Sequence, residues 1–170
     1  MFVCNGGVRS RSGAGNDFLS DSGGNNFLLG GSGNDKASGG VQFDRMASAI
    51  DALPAGTVVL LHGACHNPTG ADLSQPHWER LAEVLSRRGL VPFVDLAYQG
   101  LGDGLDEDAF GARILAEKLP EVLIAVSCSK NFGLYRERVG ALIVVGQTRQ
   151  HAEAAAANLG KIARGIYSMP

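Results

Sequence analysis

Ser127-Cys128-Ser129-Lys130-Asn131-Phe132-Gly133-Leu134-Tyr135-Arg136-Glu137-Arg138 is the stretch on which the reading of this chain turns. It follows the apolar run 122–126, so it opens at the carboxyl end of a strand. One lysine stands among small hydroxyl residues, and an arginine follows eight positions later. An amine in a constrained, partly dry setting can act as a covalent nucleophile. A pair of hydroxyls with a guanidinium suits a phosphate dianion, the guanidinium adding planar two-point binding.

Working outward, the chain alternates short aliphatic runs with helical patterns. Residues 43–53 carry Met46, Ile50 and Leu53 at helical spacing and stop at Pro54-Ala55-Gly56. Residues 57–61 form a β-branched and aliphatic run, a buried strand. Residues 75–88 form an amphipathic helix entered through the polar turn at Ser74. A strand over 90–94 ends at Asp95, a helix covers 109–118, strands cover 122–126 and 141–145, and an alanine-rich helix covers 151–164. Strands alternating with helices imply an α/β fold with a mostly parallel sheet flanked by helices. Sites in such folds lie at the carboxyl ends of the strands, where His62, Asp95 and Ser127 fall.

Two further segments carry chemistry: His62-Gly63-Ala64-Cys65-His66-Asn67-Pro68-Thr69-Gly70 and Val94-Asp95-Leu96-Ala97-Tyr98-Gln99-Gly100. Asn67 precedes Asp95 by 28 residues and Lys130 by 63. With the lysine segment, they closely resemble the aspartate and aromatic amino-acid aminotransferases, fold type I enzymes that use pyridoxal 5'-phosphate (PLP). The resemblance implies that residues 42–170 are the central part of the large domain of such an enzyme.

It also implies roles. Lys130 would hold the cofactor as a Schiff base and move the substrate α-proton, which needs an amine able to be neutral near working pH. Asp95 would face the pyridine nitrogen and keep it protonated, so that the ring accepts electron density. Tyr98 and Asn67 would hydrogen-bond the phenolic oxygen. Ser127, Ser129 and Arg138 would hold the phosphate, and His62 would support Asp95 from beneath the cofactor. Arg164 would bind the distal carboxylate of a dicarboxylic substrate, reaching the partner subunit's site in a homodimer. For His66 the residue pattern leaves open a packed core histidine or a direct role. The substrates implied are an amino acid and a 2-oxo acid, with a lean toward the aromatic branch.

The first 41 residues are of another kind. Eleven of the 24 glycines fall in the first 40 positions, and they repeat every nine residues. Gly13-Ala14-Gly15-Asn16-Asp17-Phe18-Leu19-Ser20-Asp21 is followed by Ser22-Gly23-Gly24-Asn25-Asn26-Phe27-Leu28-Leu29-Gly30. Gly31-Ser32-Gly33-Asn34-Asp35-Lys36-Ala37-Ser38-Gly39 completes the series. The pattern is similar to the glycine-aspartate nonapeptide of calcium-binding parallel β-rolls, in which glycines make the turns and oxygen ligands face the ion. Asp17 and Asp35 keep the acidic position and Asn26 replaces it. Three imperfect repeats offer little stack, so a flexible Gly/Ser/Asn linker is the expected reading and calcium binding the alternative.

Composition sets outer bounds. At 170 residues, 45% hydrophobic and 19% charged, the chain suits one globular domain. A net charge of −2 gives no footprint for nucleic acid or an anionic membrane. No apolar run reaches the length of a membrane span, and the three cysteines lack metal-ligand spacing. These features suggest reduced thiols, a cytoplasmic location and no metal at the lysine site. The resemblance implies that the first phosphate-binding turn and the ring-stacking aromatic should precede residue 42, where the glycine-rich segment stands instead. It places the small domain, with its α-carboxylate arginine, after residue 170, outside this sequence. Two expectations follow: apolar sheet edges and faces left exposed, and no transamination by this chain alone.

Overall fold

The computed structural model describes residues 41–67 and 70–166, together with the backbone of three two-residue strands before them: β1 (Val3–Cys4), β2 (Phe18–Leu19) and β3 (Lys36–Ala37). Most of the glycine-rich repeat therefore lies outside the described residues. Where strands are described there, β2 and β3 pair in parallel, Phe18 with Lys36 and Leu19 with Ala37. That offset of 18 residues is two nine-residue repeats.

The remaining elements run α1 (Phe43–Asp51), β4 (Val58–His62), α2 (Gln75–Arg88), β5 (Val91–Leu96), α3 (Phe110–Lys118), β6 (Val122–Ser127), α4 (Cys128–Asn131), β7 (Gly140–Val145) and α5 (Arg149–Ile166). Sheet order is β1-β4-β5-β6-β7. β4, β5 and β6 are parallel, each crossover carrying a helix. β7 turns back antiparallel onto β6, since only the four-residue α4 and a tight turn join them. β1 is antiparallel on the other edge. The mostly parallel α/β reading stands, with boundaries shifted by no more than two residues. β5 continues to Leu96, so Asp95 lies inside the strand rather than after it.

Local chemistry explains the helix limits. Ser74 caps α2: its hydroxyl accepts from the His77 N–H and its own N–H donates to His77 Nδ1, both at 3.4 Å. This is a capping box with histidine in the glutamate position. Pro76 occupies the first turn, where no amide hydrogen is needed. Arg87 and Arg88 sit in the last turn, favoured by the helix dipole. Gly89 closes the helix with a left-handed φ of 61°. α1 ends at Asp51, short of the expected Leu53, which packs half-buried against the core.

The period-two alternation of strands divides the sheet into two faces. Val59, Leu61, Pro92, Val94, Val122 and Ile124 are buried. They join Ile50 of α1, Trp78, Leu81 and Leu85 of α2, and Leu115 of α3 in a single core. Burying a Leu- or Ile-sized side chain contributes about 1.5–3 kcal/mol, so this layer dominates the stability. The exposed ion pairs between α2 and α1, Arg80–Asp44 at 3.2 Å and Arg87–Asp51 at 2.9 Å, add ~1 kcal/mol or less each.

The opposite face of the sheet is less covered. It carries Leu60, His62, Phe93, Asp95, Leu123, Ala125 and Ser127, all half-buried. Apolar exposure increases toward β7 and α5. Leu142 and Ile143 are 44% and 48% accessible, Ile166 is 81% accessible, and no residue of α5 is buried. The expected apolar edge is there, concentrated in residues 132–166.

Candidate active site

Register assembles the site. In the parallel ladder His62 is the Cα partner of Asp95, and Asp95 is the partner of Ala125. The histidine therefore lies beside the carboxylate on the less covered face, and the small Ala125 flanks it on the other side. A cavity of about 140 Å³ opens here, lined by His62, Ala64, Asn67, Asp95, Ala97 and Tyr98. The two alanines leave free space next to a carboxylate and a phenol. His62 and His66 meet ring to ring at 4.7 Å, tilted by 40°. His66 is 3% accessible, in keeping with the packed-histidine reading.

Asn67 and Tyr98 come from different turns, 31 residues apart, and meet at the cavity. The Asn67 amide donates to the Tyr98 hydroxyl at 3.5 Å. Lys130 sits in α4, directly after β6. Its ammonium lies 5.8 Å from the centroid of the Tyr98 ring and 4.5 Å from that of Tyr135. Two aromatic faces hold the cation by their quadrupoles.

Ser127 caps α4, its hydroxyl accepting from the Ser129 N–H at 3.1 Å. Ser129 is buried, and its hydroxyl accepts from Arg138 Nη1 at 3.4 Å. Arg138 also donates to the Tyr135 carbonyl at 3.4 Å. Its backbone takes a left-handed φ of 52°, which is costly for a side chain of that size. Among the described residues its guanidinium meets hydroxyl and carbonyl oxygens and no carboxylate. Arg164 stands apart: it is exposed near the end of α5, a helix that packs on β7, and no contact among the described residues links it to the cavity.

Three residues that the sequence reading passed over organise these side chains. Asp72 accepts from the N–H groups of Cys65 at 2.7 Å and His66 at 2.8 Å, immediately before Asn67. Asp108, 6% accessible, accepts from Gly100 at 2.7 Å, Gly102 at 3.0 Å and Asp103 at 2.9 Å, in the turn that follows Tyr98. Tyr135 supplies the nearer ring over Lys130. The cluster of Gly100, Gly102 and Gly104 ahead of an aspartate was a readable sign of a carboxylate-centred turn. Asp72 and Tyr135 carried no comparable signal.

Burial alone would raise the Asp108 pKa, but the hydrogen-bonded N–H groups of Gly102, Asp103 and Gly100, with a lesser contribution from the Gly104 backbone, outweigh it and hold the carboxyl below its ordinary value. The Cys65 thiol moves the other way, raised by burial and then by the carboxylates of Asp108, Asp72 and Asp103. A thiol kept protonated is a poor nucleophile and a poor metal ligand. Among the described residues, no group of three or more His, Cys, Asp or Glu side chains could hold a metal ion.

With this geometry the comparisons with known proteins are informative. The family model for aminotransferase class I and II matches residues 33–170. The chain belongs to that family. A second model, the RTX calcium-binding nonapeptide repeat, matches residues 11–46. The chain is 52% identical over 127 residues to an aromatic-amino-acid aminotransferase of Pseudomonas aeruginosa, covering 75% of this chain and 32% of that protein. It is 51% identical over 133 residues to the aromatic-amino-acid aminotransferase of Paracoccus denitrificans, covering 76% and 33%. The chain thus spans about a third of the length of the curated relatives it matches.

Among solved structures, an aromatic amino acid aminotransferase from Burkholderia cenocepacia superposes with a TM-score of 0.77 at 44% identity, over 93% of this chain and 42% of that one. An aromatic-amino-acid aminotransferase from Burkholderia pseudomallei, described as covalently bound to pyridoxal phosphate, gives 0.74 at 39% identity, over 83% and 37%. The fold and the family are thereby settled for the part described.

A pH prediction follows from Asp108. Its lowered folded pKa means that its stabilisation is complete above the unfolded value of ~3.9 and is lost as pH falls through the folded value. Asp108→Asn is expected to cost about 1–3 kcal/mol near neutrality. In urea unfolding across a pH series, the gap from wild type should hold steady above about pH 5 and narrow below about pH 4. A gap that stays constant into strong acid would contradict this assignment.

Proposed function

We propose that this chain carries the PLP-binding half of an amino-acid aminotransferase site. The observation that supports it best is the convergence of His62, Asn67, Asp95 and Tyr98 on one cavity, with the Lys130 amine beside the Tyr98 ring. The donor set suits the cofactor. Asp95 offers a carboxylate to a protonated ring nitrogen, with His62 next to it in register. Asn67 and Tyr98 offer two donors to one phenolate oxygen. Ser127, Ser129 and the exposed Arg138, whose guanidinium donates to the Ser129 hydroxyl, offer a phosphate site.

When bound, PLP supplies the electron sink that makes the α-proton of an amino acid removable. This chain's residues do the rest. Lys130 would be the residue that holds the cofactor, its amine placed to take up and return a proton. The ring faces of Tyr98 and Tyr135 hold its amine in place before that. Buried Ser129 and the start of α4 fix the lysine relative to the end of β6.

The substrates of this reading are an aromatic or dicarboxylic amino acid and a 2-oxo acid. Arg164 serves a partner subunit's site in a homodimer, which accounts for its distance from the cavity. The compartment is cytoplasmic; among the described residues no helix is long and apolar enough to cross a membrane. Residues 42–170 form the aminotransferase part and residues 1–41 the repeat segment. The described residues supply the cofactor-facing part of the site, and transamination needs a full set of positioned groups.

Borohydride reduction after incubation with PLP, followed by peptide mass mapping, tests the reading. One phosphopyridoxyl group per chain on Lys130, lost in Lys130→Ala and weakened in Asp95→Ala, is the expected result. Labels scattered over several lysines, or none, would refute it.

A second reading is favoured by the 18-residue offset between β2 and β3 together with the RTX match: the N-terminal repeats coil as a calcium-binding β-roll. Adding calcium should then increase the β-sheet signal in far-UV circular dichroism. An unchanged spectrum would leave the linker reading.

A further inference from the structure

We propose that Asp108 and Asp72 are a matched pair of positioning residues, each fixing the turn that delivers one of the two side chains, Tyr98 and Asn67, that meet over the cavity. This deepens the PLP-site reading and rests on it for its functional meaning.

The two turns are built alike. Each follows a strand of the parallel ladder, β4 or β5, and must turn its backbone away from the sheet while presenting one polar side chain. The N–H groups of such a turn leave the sheet ladder and take other acceptors. In the turn after β5, the Asp108 carboxylate accepts three of them, from Gly100, Gly102 and Asp103. At position 102 a Cβ would stand 2.6 Å from Asp108 Oδ1 and 3.2 Å from Cys65 Sγ, so glycine is needed for the backbone to close around the carboxylate. In the turn after β4, Asp72 accepts from Cys65 and His66. That arrangement holds Cys65 at a left-handed φ of 52°, a conformation an ordinary side chain adopts only when its surroundings impose it.

Cys65 then links the two turns. Its thiol lies 3.9 Å from the Tyr98 carbonyl oxygen as a weak donor, and it packs against Gly102. Asn67 comes two residues after Cys65, and Tyr98 comes two before Gly100, the first N–H that Asp108 accepts. A shift of either turn separates the Asn67 amide from the Tyr98 hydroxyl. Their 3.5 Å contact is already at the outer limit of a hydrogen bond, so a displacement of a few tenths of an ångström breaks it. Neither aspartate lines the cavity. Both act through other residues.

The test reads Tyr98 directly. The chain is labelled with ¹³Cζ-tyrosine, and the Tyr98 resonance is assigned by Tyr98→Phe. Asp108→Asn and Asp72→Asn are each expected to move that resonance toward the value of a free tyrosine while leaving Tyr135 unchanged. In an Asn67→Ala background, Asp72→Asn should have no further effect, the non-additivity expected of residues in one chain of contacts. PLP affinity should fall about tenfold in each single variant, the amount that ~1.4 kcal/mol of lost positioning gives. Folded variants with an unmoved Tyr98 resonance would overturn the proposal. If Asp108→Asn fails to fold, the exposed Asp72→Asn decides it alone. The resonance is read without cofactor, so failure of wild type to bind PLP would count against the proposed function and leave this test intact.

Discussion

The parallel register of β4, β5 and β6 is the constraint on which the rest depends. Because side chains alternate with a period of two, one alignment sends Val59, Leu61, Val94, Val122 and Ile124 into the helix-covered core. The same alignment sends His62, Asp95 and Ser127 to the opposite face. A slip of one residue in β5 would bury Asp95 under α2 and α3 and expose Val94. Burying an unpaired carboxylate costs several kcal/mol, so the core enforces the register that the site needs. Packing and chemistry are two sides of one alignment.

Above the sheet, the site depends on turns, and the turns depend on carboxylates. Asp108 and Asp72 accept five backbone N–H groups between them. Hydrogen bonds to a charged acceptor contribute about 1.5–3 kcal/mol each, more than the exposed ion pairs between α1 and α2. The left-handed backbone at Cys65 and Arg138 falls in these functional segments, where strain is tolerated because the surroundings fix it. The lysine itself is held more loosely, by two aromatic faces and a four-residue helix.

What was legible in the sequence had local causes. Hydrophobic periodicity located every strand and helix of residues 43–166 to within two positions, except the four-residue α4, which is too short to show a period. The Ser-x-Ser-Lys segment, Asn67, Asp95 and Tyr98 could be singled out because their types and spacings form a recognisable set. The antiparallel return of β7 was not legible, since it depends on how tightly residues 132–139 turn. Asp72 was missed because it acts through backbone N–H groups, which carry no residue identity, whereas Asp108 had a local sign in the glycines at 100, 102 and 104 before it. Tyr135 was missed because its ring meets Lys130 only after the chain turns at Gly133. Arg164 was singled out by its segment, yet it lies on a helix with no buried residue, away from the cavity.

Visible-region circular dichroism of added PLP tests most directly whether this half-site is already formed in the 170-residue chain. PLP is achiral and gives no visible dichroic band when free or randomly attached. If His62, Asp95 and Tyr98 form an asymmetric cavity around it, wild type should induce a band that Asp95→Ala abolishes at equal cofactor occupancy. No band in wild type, or an equal band in Asp95→Ala, would contradict the account.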